Sequence, residues 1–137
     1  MATALAVHDA VWTALDALTA VNTYDGEVPK TPPVDPDGRV HAYAVLYASP
    51  GNQFSTTLTG GQSALLGSFQ VTCVGGDPTR ALWCVDKVRT AMATTVTLDG
   101  RAYPIRAREE DPGTVRRDDD VAPPRHYVPV EFLVFAP

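Results

Sequence analysis

The sequence has little cysteine, little basic charge and no long apolar run. Cys73 and Cys84 are its only cysteines, and neither sits in a CxxC or Cys/His spacing, which argues against a disulfide framework and a zinc site alike. They read as buried thiols in a reducing compartment. Eleven Lys and Arg against sixteen Asp and Glu leave a net charge of −5 and a pI near 5.0, the wrong sign for a protein that grips phosphates. Apolar stretches are short and interrupted, and the first residues show neither a basic n-region nor a continuous h-region, so secretion and membrane insertion are not expected. Catalytic signatures are missing too. His8, His41 and His126 form no HExxH or HxH spacing, and Ser63 in "GGQSALLGS" belongs to no GxSxG. "CVGGDPTRA" offers a strand, two glycines and a helix start, but it lacks the third glycine of GxGxxG and any GK[ST]. Asp77 at the helix start would repel an anion, and an N-cap turn explains the same residues.

What is present is one ordinary domain, 1–137. At 137 residues and 45% hydrophobic content, the chain can bury roughly two thirds of the surface exposed by its unfolded form. Ala4 to Ala20 reads as a helix, because Val7, Val11, Ala14, Leu15 and Leu18 recur at three- and four-residue intervals without Gly or Pro. Asn22 to Val40 holds four prolines and two Asp-Gly pairs and reads as a long connection. "HAYAVLYAS" alternates a bulky face of His41, Tyr43, Val45 and Tyr47 with a small face of Ala42, Ala44, Leu46 and Ala48, the pattern of a strand packed on both sides. "GSFQVTCVGG" repeats it with Phe69, Val71 and Cys73 on one face. Ser49 to Gly61 between them reads as an extended hairpin tip, a candidate projecting arm.

"DPTRALWCVDKVRTAM" announces a helix, with Asp77 as N-cap, Pro78 in the first helical position and a stripe of Ala81, Val85, Val88 and Met92. Trp83 falls on the opposite face; either its indole folds over a neighbouring loop or another molecule covers it. "TTVTLDGRAYPIRAR" reads as a hairpin around a type I′ turn at Asp99-Gly100. "HYVPVEFLVFA" is the closing strand, and Pro129, lacking an N–H, predicts an edge position or a starting bulge. The expected fold class is α+β: a mostly antiparallel sheet of about five strands, two helices on one face, order α-β-β-α-β-β-β, long loops.

"EEDPGTVRRDDD", Glu109 to Asp120, is the strongest candidate for chemistry, since Asp118, Asp119 and Asp120 could hold Mg²⁺ in a small metal-dependent hydrolase. Successive side chains of extended backbone alternate, however, and the order fits no EF-hand. Arg106 to Arg125 contains five arginines and six acids, a nearly self-neutral run typical of a solvated loop. Glu109 to Pro124 is sixteen residues long, more than compact domains usually keep without a use, so contact with another chain is the expected role.

The succession of an amphipathic helix, a Pro-rich connection, "HAYAVLYASPG", "FQVTCVGGDPTRALWCVDKVRTAM", "VTLDGR" and "DDDVAPPRHYVPVEFLVF" resembles the tail terminator (minor tail, tail completion) proteins of long-tailed bacteriophages, over Val7 to Phe135. The resemblance implies a virion protein of the tail or neck, assembled in the host bacterial cytoplasm. Its protomers would close into a ring of six on the last ring of the tail tube, stopping tube growth and joining the head's connector or stopper. It implies no enzyme activity, cofactor, metal or membrane partner. The partners would be other copies, the major tail tube protein and the connector, with genomic DNA passing through the lumen unbound; an acidic wall suits such a conduit. Expected contact residues are Phe54, Trp83, Arg106, Arg108, Arg116, Arg117, Asp118, Asp119, Asp120, Arg125 and Val130. Another neck component, a connector or stopper, is the nearest alternative.

Overall fold

The computed structural model describes residues 2–28, 30–55, 64–108 and 113–137. In chain order its elements are α1 (Ala4–Asp16), β1 (Asn22–Asp25), β2 (Tyr43–Ala48), β3 (Asn52–Phe54), β4 (Ala64–Gly75), α2 (Pro78–Met92), β5 (Thr95–Leu98), β6 (Arg101–Ala107), β7 (Arg116–Asp118) and β8 (Arg125–Ala136). The two segments with the longest alternation, β4 and β8, pair antiparallel from Leu65↔Ala136 to Gly75↔His126. They form the middle of one sheet ordered β1-β2-β4-β8-β6-β5. β2 and β3 occupy successive stretches of the free side of β4, and β7 and β6 do the same along β8.

This corrects the expected architecture in three respects. The sheet has eight strands, not about five, because β1, β3 and β7 lie in segments whose turn residues and charges masked them. It is also mixed, since β1 runs parallel to β2 with Asn22 opposite Tyr43. A parallel neighbour needs a crossover of a dozen or more residues, so much of the Pro-rich connection is the return path between these strands. Finally, β8 is interior. Glu131 accepts a hydrogen bond from the Arg108 amide at 2.9 Å on the β6 side, and residues two apart direct their backbone groups the same way. The missing N–H of Pro129 therefore faces that side too, between the pairings with β7 and β6. The ladder to β4 loses nothing, and a strand that reads as an edge can sit in the centre.

Both helices cover one face. Val7, Val11 and Leu15 of α1 and Cys84, Val85, Val88 and Met92 of α2 share a core with Ala44, Leu46, Phe69, Val71, Cys73, Val128, Val130, Phe132 and Val134. The small face of β2 thus admits the helices, while its bulky face meets Tyr24, Val74 and Tyr127 on the other side. α1 ends at Asp16, four residues short of the expected Ala20, and it reaches across the sheet to touch both β5 and β1. Among the described residues no helix is long and apolar enough to cross a membrane.

Local chemistry explains the helix and turn boundaries. Asp77 Oδ1 accepts from the Arg80 amide at 2.7 Å, satisfying one of the first-turn donors that α2 cannot pair internally. Asp99 (φ 51°) and Gly100 (φ 77°) both take the left-handed region that a type I′ turn requires. Gly75 serves a different purpose: a Cβ there would lie 2.5 Å from the Ala81 amide nitrogen and 2.7 Å from the Arg80 carbonyl carbon. Only a hydrogen lets α2 start so close to β4. Gly75→Ala is expected to cost about 1–3 kcal/mol, the range for overpacking, read as a lower urea midpoint at unchanged m.

Candidate assembly surface

The acidic stretch uses its charge locally. Asp118 Oδ1 accepts from the Asp120 amide at 3.0 Å, and Asp119 pairs with Arg117 through Nε. β7 begins two residues before Asp118 and pairs with the start of β8, placing Asp118 opposite Arg125. The three aspartates do not converge: among the described residues no group of three His, Cys, Asp or Glu is placed to hold a metal. Residues 109–112 and Ser63 lie outside the described residues, as do residues 56–61 of the proposed arm at 49–61.

The expected contact residues divide by accessibility. Arg106, Arg116, Arg117, Asp119 and Asp120 are exposed, and Arg108 is exposed with Nε 4.0 Å from Glu131 Oε2. Phe54 is half-buried in β3 and stacks on Phe135 with ring centroids 5.6 Å apart. Trp83 is 39% exposed and Leu82 beside it 53%; the indole lies under the Lys87 ammonium, 5.6 Å from the ring centroid. Val130 and Arg125 need correction. Val130 is buried against the helices, because β8 is central and not an edge. Arg125 is 92% buried, donating to the Tyr43 hydroxyl at 2.8 Å with its guanidinium 5.9 Å from the Tyr43 ring. Neither can touch a partner in this conformation.

Arg125 is also the one buried charged side chain among the described residues, and its Nε has no hydrogen-bond partner there. Its cross-strand neighbour Asp118 is turned to Asp120 instead. A desolvated guanidinium over an aromatic face recovers about 2 kcal/mol, less than the several kcal/mol needed to strip an ion of water. Burial in turn pushes the Tyr43 hydroxyl above its ordinary value. Cys73 is likewise raised well above the ordinary thiol value by its contact with Cys84 and by burial, consistent with an unreactive core thiol.

A charged clamp that the sequence did not suggest sits at the start of α2. Arg80 reaches Asp37 at 2.6 Å and Asp35 at 3.3 Å, Arg39 reaches Asp77 at 2.8 Å, and His41 Nδ1 lies 2.8 Å from Asp35. The Val34↔Val40 bridge and the bond from the Gly38 amide to the Asp35 carbonyl close "VDPDGRV" into a tight turn. The only sequence signal was Asp-Gly, which marks a turn but not what it grips. A second link joins α1 to β1, where His8 Nδ1 lies 2.9 Å from Asp9 and Nε2 2.8 Å from Asp25.

No family model matches the chain, and no curated protein matches it. One solved structure, whose name describes no function, aligns over 96% of this chain and 94% of its own with a TM-score of 0.50 at 20% identity. At that identity the likeness concerns the α+β fold alone.

Two pH effects follow. Asp37 is held below the ordinary aspartate value of 3.8 by its hydrogen bond from Arg80, and Asp77 by the Arg80 amide and then Arg39. A lowered carboxyl contributes stability above the unfolded pKa and loses it as pH falls through the folded one. Arg80→Met should therefore lower Tm at neutral pH and shrink the further loss below pH 3.8. His8 behaves oppositely: the hydrogen bond to Asp9, then Asp25, raises it above 6.5. Its contribution is complete below 6.5 and fades as pH rises through the folded value, so His8→Gln should flatten that part of a Tm-against-pH curve.

Proposed function

We propose that this protein is a structural subunit of a bacteriophage tail that forms a ring at the end of the tail tube, ends tube growth and offers the surface for head joining. One observation carries the reading: apolar side chains are exposed on both sides of the layer. Leu5, Leu82 and Trp83 stand on the helix side, and Tyr47 and Phe135 on the open face of the sheet. Apolar exposure on opposite faces suits a subunit held between two neighbours, because each patch needs a cover and one partner cannot reach both. The net charge of −5 suits a channel through which DNA slides without adhering. The partners are further copies, the tube protein and the connector, and the ring of six follows from the resemblance over Val7 to Phe135. Long loops are a weaker support than their length suggests, since one is a crossover and the others contain β3 and β7.

The test is electron microscopy of tubes grown from the tail tube protein of the same particle, with and without this chain. Rings on tube ends and shorter tubes are expected, and Trp83→Glu should reduce capped ends while leaving the unfolding free energy within about 0.5 kcal/mol of wild type, as for exposed substitutions. Tubes of unchanged length with bare ends would refute the reading; binding to the head connector in place of the tube would point to a stopper.

A further inference from the structure

The two ends of the sheet are unpaired in a complementary way. The Asn22 amide donates to the Ala42 carbonyl at 3.3 Å and the Gly26 amide to the Leu46 carbonyl at 2.8 Å. Asn22, Tyr24 and Gly26 thus direct their backbone groups toward β2, and Thr23 and Asp25 direct theirs outward. At the far end, the two-residue turn at Asp99-Gly100 makes Leu98 and Arg101 the hydrogen-bonded pair nearest the turn. Val96 shares the orientation of Leu98, so Thr95 and Thr97 point their N–H and C=O groups away from β6. Among the described residues no strand pairs with either outer edge.

Natural sheet edges are usually blunted by lysine, proline or a bulge. Thr95-Val96-Thr97-Leu98 has none of these, and its threonine side chains are exposed while Val96 and Leu98 are buried. On β1, the one charge, Asp25, is turned to His8 at 2.8 Å, which removes the obvious repulsive element. Each edge therefore presents two outward residues at the same spacing, with two donors and two acceptors.

We propose that β5 of one copy adds to β1 of the next, continuing the sheet from protomer to protomer. The occupant is a second copy because a single chain carries both halves of the joint, at opposite ends of one sheet. The joint is heterologous, so each added copy leaves a fresh edge, and assembly stops only when a ring closes. This deepens the ring reading and rests on its self-assembly, naming the surfaces that make the joint.

The experiment is light scattering and sedimentation of the purified chain, with no tube protein present. Thr97→Pro removes an outward N–H and leaves the bonds to β6 intact; Thr23→Pro does the same at β1, giving up an exposed hydroxyl bond to Asp16. Thr97→Lys and Thr23→Lys, which charge the edges without touching the backbone, replace any proline variant that lacks a cooperative thermal transition. Wild type is expected as assemblies above the 14.7 kDa protomer, and each variant as the protomer alone. An equimolar mixture of a β5 variant and a β1 variant retains one intact joint, so it should give dimers and nothing larger. The proposal is overturned if wild type stays monomeric at every concentration, if either variant assembles like wild type, or if the mixture stays monomeric. Rings that form here but leave tube ends bare would sink the terminator reading and leave the edge pairing standing.

Discussion

The rest of this fold depends on the pairing of β4 with β8. These strands supply the interior of the sheet, and every other strand except β1 and β5 takes its place along one of them. Their inward residues, Phe69, Val71 and Cys73 opposite Phe132, Val130 and Val128, are the floor on which both helices rest. Fully burying a Val or Phe side chain contributes about 1.5–3 kcal/mol, so this double row outweighs any single polar contact in the molecule. The rings of Phe69 and Phe132, stacked 5.6 Å apart, tie the two strands together within that row.

The polar contacts work at the margins and decide orientation more than stability. Exposed ion pairs contribute about 0–1 kcal/mol, and the partners around Arg80 all keep part of their surface in water. Their effect is geometric: Asp35, Asp37 and Asp77 come from two segments far apart in sequence and converge on one guanidinium, fixing the crossover turn against the first turn of α2. His8 and Asp25 similarly fix α1 against the edge strand. Arg125 is the exception, placed in the interior with its side chain donating to the Tyr43 hydroxyl. That arrangement lowers stability relative to an apolar side chain of similar size and fixes how Tyr43 is oriented.

Several elements were legible in the residues alone because each carries its own local chemistry. Asp77-Pro78 marks the start of α2, Asp99-Gly100 can hardly adopt anything but a primed turn, and the alternation through "FQVTC" decides which face of β4 is inward. The strands that escaped notice have no such signature. "NTYD" is a strand because β2 lies beside it in parallel, a tertiary cause that local pattern does not encode. "RRD" is too charged and short to look like anything but loop. Pro129 misled for a sharper reason: its missing donor excludes pairing on one side only, and the rule of edge placement assumes both sides matter equally. The exposure of Trp83 was legible, since the residue falls on the polar face of α2. The burial of Arg125 and Val130 was not, because charge and a proline-marked strand both point to exposure and only the central position of β8 encloses them.

The place of β8 in the chain bears on how the molecule is made. Strand β8 follows all the other named elements, yet it pairs along β4 from Leu65↔Ala136 to Gly75↔His126, and among the described residues β7 pairs with no other strand. Until β8 is in place, β4 has one whole side unpaired, and α2 packs on β4 without the second half of its floor. The contacts that β8 makes with β4 are non-local, which places completion of the sheet late in folding. Pairing of β4 with β8 is then the step that completes the core shared by both helices.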